Sequence, residues 1–170
     1  GDKLLHSWRM GTKIDRTADE LGFKVVSFFN YLGMDTKEVA DIIVSSVIPS
    51  INYTVEHMCR IYFGKKPHFV GPGIKTGINI LYDNPKELGS DRIVNAVAAY
   101  EKYGGPCITV DFGTATSYGA VSAQGEFLGG AICPGVKISA EALISNTAKL
   151  PRVELTMPKT VINKSTVSCM

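Results

Sequence analysis

The sequence holds 170 residues, 45% of them hydrophobic and 20% charged, with a formal net charge of +2. This is the profile of an ordinary globular protein with enough apolar mass for a core, and its scattered Lys and Arg argue against a nucleic-acid or membrane surface. No apolar run approaches the roughly 20 residues of a membrane span, and no signal-peptide pattern is present.

Residues 4–10 read as a strand, with Leu4, His6, Trp8 and Met10 on one side. Thr17-Ala-Asp-Glu20 is a capping box, the Thr17 hydroxyl placed for the third helical N–H and Glu20 for the reciprocal bond. Ala18, Leu21, Val25, Phe28 and Leu32 then recur at helical spacing, so a helix runs to Gly33. Gly22 inside it costs about 1 kcal/mol against alanine. A short helix from Asp35 leads into Ile42-Ile-Val-Ser-Ser-Val-Ile48, continuous enough to read as a buried strand. Ser50 is placed to cap a helix carrying Ile51, Val55, Met58 and Tyr62, and a strand follows near residues 68–70. The glycine- and proline-rich connection over residues 71–89 is long, and structureless connections of that length tend to be functional.

Ser90 caps a helix through Tyr103, which stops at Gly104-Gly105-Pro106, the expected domain boundary. Beyond it come three closely spaced strands and a helix over residues 138–150, halted by Pro151. Helix–strand alternation followed by a strand meander argues for α/β units, each around a mixed sheet. The Ser90 helix is apolar on more than one face, with Ile93, Val97 and Tyr100 on one and Val94 and Ala98 on another, so it needs a second covering surface.

Cys107-Ile-Thr-Val110 is an apolar, β-rich stretch that delivers a carboxylate to the run Asp111-Phe-Gly-Thr-Ala-Thr116. Gly113 suits a tight turn in which successive N–H groups face one anion; Thr114 and Thr116 add hydroxyl donors, and Asp111 can hold a cation beside a phosphate. For the hexapeptide alone, a β-turn with an aspartate at its mouth is the competing reading. Gly89-Ser-Asp-Arg92 opens a helix in which Ser90 caps, Asp91 favours the positive end and Arg92 is a solvated residue. Alternatively, Asp91 is a base, and Arg92 with the helix N-terminus holds a carboxylate or phosphate.

Other reactive residues carry weaker signals. Cys59, Cys107, Cys133 and Cys169 form no C-x-x-C pair; Cys107 and Cys133 read as small hydrophobes, in a reducing compartment. His6, His57 and His68 lack carboxylate-paired spacing, and Trp8 reads as packing. Lys75 and Lys137 lie in glycine-rich bends open to a phosphate contact.

Asp111-Phe-Gly-Thr-Ala-Thr116, Gly73-Ile-Lys-Thr-Gly77, Leu81-Tyr-Asp-Asn-Pro85, Gly89-Ser-Asp-Arg92 and Gly129-Gly-Ala-Ile-Cys-Pro-Gly135 together resemble type III pantothenate kinases, of the actin, sugar kinase and Hsp70 ATPase superfamily. The resemblance covers residues 4–170. It implies an α/β, actin-like (ribonuclease H-like) two-domain fold with mixed sheets flanked by helices, residues 1–104 forming the first domain and 105–170 the second. It also implies transfer of the ATP γ-phosphate to the primary hydroxyl of pantothenate, the first step of coenzyme A biosynthesis, in a cytoplasmic homodimer. Mg2+ would accompany ATP, and a monovalent cation, K+ or NH4+, would be a cofactor.

Carried over by position, Asp91 resembles the general base, and Gly89, Ser90, Asp91 and Arg92 resemble the pantothenate clamp, with Arg92 on the substrate carboxylate. Tyr82 is similar to a tyrosine lining that pocket, Asp111 to the cation ligand, and Gly113 and Thr114 to nucleotide-phosphate contacts. Thr166 resembles a pantothenate contact reaching across a dimer interface. Ser90 stands where alanine is common in the family, and a hydroxyl at a cap position is expected to change little.

Actin-like kinases hold the triphosphate between two hairpins, the first opening with an Asp-x-Gly-Asn-Thr run that these 170 residues lack. The natural protein is therefore expected to be longer at both ends, and the chain alone to be inactive. Two further readings stand beside the kinase: a transcriptional accessory factor, and a nucleotide-binding ATPase without small-molecule transfer. Near-neutral charge disfavours the first, since DNA binding leans on phosphate neutralisation. The acceptor-like region over residues 71–91 disfavours the second.

Overall fold

The computed structural model describes residues 3–71 and 73–170. Residues 1 and 2, at the start of the expected first domain, and Pro72, in the 71–89 connection, lie outside the described residues. Two sheets flanked by helices make the chain mixed α/β, consistent with an actin-like kinase fold. It divides into two compact units, Gly1–Ile74 with Gly89–Val94, and Lys75–Leu88 with Asn95–Met170. The strand meander does begin after residues 104–106, whereas the compact units part earlier, between Val94 and Asn95.

The first unit is built on two helices, α1 (Ala18–Tyr31) and α2 (Asn52–Phe63). The capping box of α1 is closed in both directions: Glu20 N–H donates to Thr17 Oγ1 at 3.2 Å, and Thr17 N–H donates to Glu20 Oε2 at 2.9 Å. The Thr17 N–H, with the Thr17 hydroxyl donating to the same Glu20 oxygen at 3.1 Å, holds the Glu20 carboxyl below its ordinary value of 4.5. Gly22 has a packing reason that outweighs its helix cost. It is buried in α1 where a Cβ would strike the ring of Tyr62, whose hydroxyl donates to Asp19 Oδ1 at 2.9 Å. Trp8 packs as expected, stacked on Phe28 with ring centroids 5.5 Å apart.

Three expectations for this unit are corrected. Residues 4–10 take no regular structure, because among the described residues no strand pairs with them and an unpaired segment has no ladder to close. Of residues 42–48 only β1 (Ile43–Val44) is strand, paired in parallel with β2 (His68–Phe69). Ile43 is 73% exposed and Val44 half-buried, so the segment is half-exposed rather than buried. Finally, α2 is entered through a 3-10 turn, Pro49–Ile51, and no side chain caps it. Pro49 presets the turn that Ser50 was expected to provide. The short helix expected from Asp35 is the 3-10 turn Thr36–Glu38, which Asp35 caps, Lys37 N–H donating to Asp35 Oδ1 at 2.9 Å.

The second unit carries a four-stranded sheet in the order β3-β6-β5-β4, made of β3 (Asn79–Ile80), β4 (Cys107–Phe112), β5 (Ala115–Val121) and β6 (Glu126–Pro134). The last three form an antiparallel meander, and β3 joins β6 in parallel through Leu81 N–H to Phe127 O at 2.9 Å. The 71–89 connection is therefore partly structured, by β3 and the 3-10 turn Pro85–Glu87. Two strand residues are too few to leave a periodic signal. Val121 and Phe127 are the most deeply buried side chains of the sheet.

Helix α3 (Ser90–Tyr103) precedes the meander, and α4 (Val136–Asn146) and α5 (Thr166–Cys169) follow it. α4 begins before residue 138 and ends well before Pro151. Its last carbonyls are taken by side chains, Asn146 Nδ2 donating to Ala142 O at 2.9 Å and Thr147 Oγ1 to Leu143 O at 2.8 Å. All four cysteines are free; Cys59 is buried, but Cys107 is only half-buried and Cys133 exposed, so those two are not core hydrophobes. Burial pushes the Cys59 thiol above its ordinary range.

Candidate active site

In the first unit, the candidate residues open α3. Gly89 O accepts the N–H of Arg92 at 3.1 Å and of Ile93 at 3.2 Å, so Gly89 holds the cap position and Ser90 is already helical. The expected capping role of Ser90 is thus corrected. Its buried hydroxyl donates to Ser46 O at 3.0 Å and accepts from Ser45 Oγ at 3.0 Å, tying the first turn of α3 to the segment after β1. Asp91 Oδ1 accepts the Arg92 N–H at 2.8 Å, which fixes the carboxylate at the positive end of the helix. Arg92 is 9% exposed, which excludes the solvated-residue reading. A guanidinium held that deep is suited to a forked, desolvated contact with a carboxylate.

In the second unit, β4 delivers Asp111 to the mouth of the β4–β5 hairpin, with Ser117 directly across on β5. Asn95 of α3 donates from Nδ2 to Asp111 Oδ2 at 3.2 Å. The turn itself is Gly113-Thr114, both exposed. Two parts of the expected cradle are corrected here. The Gly113 N–H is spent within the hairpin, on Ala115 O at 3.0 Å, and Thr116 is buried inside β5 at 6% exposure. Thr114 remains at the surface, and its carbonyl accepts the Gly135 N–H at 3.0 Å. That bond seats the N-terminus of α4 beside the turn, and the partial positive charge of a helix start favours an anion there.

Among the described residues, no three His, Cys, Asp or Glu side chains gather as a metal site. Asp111 offers one carboxylate, with Asn95 Nδ2 on one oxygen and Ser117 across the strand pair, and a carboxylate oxygen is a ligand type that hard cations take. Tyr82 follows β3 and lies against Phe127, with ring centroids 6.2 Å apart. Thr166 opens the four-residue α5, and the hydrogen bonds recorded around it are local, such as Ser168 N–H to Ser165 Oγ at 3.2 Å. Within units, the structure thus groups residues 89–92 on one helix start and Asp111, Gly113 and Thr114 on one hairpin.

The remaining polar candidates divide. His68 Nε2 lies 3.2 Å from Asp41 Oδ2, so this histidine has a carboxylate partner after all, though both are exposed. His57 stacks on Tyr53 within α2. Lys137, in the first turn of α4, is 3.9 Å from Glu141, and Lys75 is exposed. Sequence reasoning missed Ser45, Ser46, Ser117 and Asn95. Only Asn95 had a usable signal, as the single polar residue within Ile93-Val-Asn-Ala-Val-Ala-Ala99.

No helix among the described residues is long and apolar enough to cross a membrane. Against known protein families, the sequence matches type III pantothenate kinase over residues 1–170. That match covers the whole given sequence, and the chain belongs to the type III pantothenate kinase family.

Proposed function

We propose that the protein phosphorylates pantothenate at its primary hydroxyl with ATP, giving 4'-phosphopantothenate at the start of coenzyme A biosynthesis. The observation that carries this reading is Asp91, a carboxylate held by a backbone N–H at a helix start and followed directly by a buried arginine. In this reading Asp91 accepts the hydroxyl proton, while Arg92 holds the substrate carboxylate. Gly89 and Ser90 shape the clamp, and Tyr82 lines it.

Phosphoryl transfer depends on alignment and charge neutralisation more than on strong proton abstraction, so Asp91 need only orient the hydroxyl and take its proton late. Thr114 and the start of α4 meet the nucleotide phosphates, with Gly113 keeping the turn narrow. Mg2+ would accompany ATP. Asp111 would hold a monovalent cation, K+ or NH4+, whose charge would offset that of the phosphates.

Further parts of the reading are a homodimer, in which Thr166 reaches the partner's pantothenate, and an actin-like domain on either side of residues 104–106. The four free thiols suit a reducing compartment, and a cytoplasmic location belongs to the same reading. A monomer in light scattering at micromolar concentration would remove the dimer.

The test of the whole is pantothenate-dependent ADP release by the whole protein. Asp91→Asn is expected to lower kcat at least about 100-fold while ATP still binds. ADP release that ignores pantothenate would favour an ATPase instead, and near wild-type turnover by the variant would return Asp91 to a helix-terminal role.

A further inference from the structure

Asn95 is the polar interruption in an apolar run of α3, and its side chain is committed to one partner. Nδ2 donates to Asp111 Oδ2 at 3.2 Å. Both residues are half-buried, and both line an open groove of about 450 Å³ beside Thr109 and Cys107. We infer that Asn95 is a positioning residue for the cation site, holding one oxygen of Asp111 so that the other is presented to a monovalent cation. The inference rests on the reading of Asp111 as the cation ligand.

The choice of an amide is the physical core of the inference. A carboxylate at a strand end can turn about two side-chain torsions, and one fixed donor removes most of that freedom. A lysine or arginine would fix it equally well, but would cancel the charge that a cation needs. The ion pairs found among the described residues do not include Asp111. A neutral donor thus orients the ligand without adding an opposing charge beside it. A monovalent cation is attracted less strongly by each carboxylate than a divalent one, so the orientation of the few ligands it has bears directly on its affinity. Partners of metal ligands commonly change affinity by about 10- to 100-fold when removed.

The experiment compares the whole wild-type protein with Asn95→Leu, Asn95→Ala and Asp111→Ala. Leucine keeps the size and helix preference of the position while removing the donor. Two quantities are read as KCl replaces choline chloride at constant ionic strength: the potassium concentration for half-maximal activation, and the rise in Tm of the protein without nucleotide. Asn95→Leu and Asn95→Ala are expected to move both midpoints upward together by about tenfold or more, with turnover recovering as potassium is raised. Asp111→Ala is expected to lose both responses.

If Asn95→Leu and Asn95→Ala lower Tm equally in KCl and choline chloride, with wild-type potassium midpoints, Asn95 is only a packing residue and the inference is wrong. If Asp111→Ala keeps the potassium response, the cation reading of Asp111 fails, and the role of Asn95 falls with it.

Discussion

The carboxylate of Asp91 occupies the space into which any side chain on Gly89 would project. A Cβ there would collide with Asp91 Oδ1, while its next neighbour outside the helix start, Val47 Cγ1, stands at an ordinary 3.7 Å. The obstructing group is a side chain rather than backbone, so it can swing aside at the cost of its bond from the Arg92 N–H.

Gly89→Ala is therefore expected to separate stability from turnover. Its Tm should reflect a change within about 1 kcal/mol, as for substitutions without a cavity or a buried charge. Turnover should fall about 10- to 100-fold, because displacement of a positioned group by about 1 Å is costly to a reaction that depends on alignment. Thermal melting and steady-state kinetics on one preparation check both. Wild-type kcat would mean that the observed orientation of Asp91 is not the one used.

Ser90 offers the complementary case, a residue of the proposed clamp whose hydroxyl makes structural bonds. It bridges Ser46 O and Ser45 Oγ from a buried position. Ser90→Ala should cost about 1 kcal/mol in urea unfolding, since the half-buried Ser46 carbonyl loses its donor. Ser45→Ala should cost less, because the Ser90–Ser46 bond survives it. Equal stability of Ser90→Ala and wild type would show that the carbonyl finds another partner.

What the sequence made legible was local. The Thr17–Glu20 capping box, the β4–β5–β6 meander and the start of α3 all depend on neighbours within a few residues, and each appears close to where the pattern put it. What it hid depends on distant partners. Residues 4–10 alternate like a strand, yet strand formation depends on a ladder, and none is present among the described residues. The two-residue β3 exists only because β6 accepts it. Ser90 looked like a cap because serine commonly caps, but the positions of Ser45 and Ser46 draw its hydroxyl elsewhere. At the hairpin, the tight turn appears where it was read, while the direction of one N–H and the exposure of one hydroxyl differ, since Gly113 donates inward and Thr116 is buried.

The capping box gives a pH prediction with a definite sign. The Thr17 N–H and hydroxyl lower the folded-state pKa of Glu20 below 4.5, with smaller help from Arg16 and Lys24. A depressed carboxyl stabilises the fold above its unfolded pKa, and that contribution is lost as pH falls through the folded value. Glu20→Gln retains an acceptor but no charge. The variant should melt below wild type at pH 7, and the gap should close as pH drops below about 4.5. A gap that persists at pH 3 would mean that charge is not what the box contributes.

The last prediction concerns the hairpin proposed to meet the nucleotide. A Cβ on Gly135 would run into Gly113 O and Thr114 O, and both are backbone atoms. The backbone of Gly135 is at φ −65, a conformation alanine adopts freely, so the obstacle is space alone. Unlike the carboxylate beside Gly89, these atoms cannot rotate away; the turn must move, breaking the Gly135 N–H bond to Thr114 O. Gly135→Ala should thus cost about 1–3 kcal/mol, as overpacking does. It should also raise the KM for ATP by about tenfold or more, through loss of a preset donor arrangement, while the KM for pantothenate changes little. Kinetics with each substrate varied at saturation of the other distinguish the two. A rise confined to pantothenate would place the nucleotide away from this turn, and would undo the assignment of Gly113 and Thr114 to its phosphates.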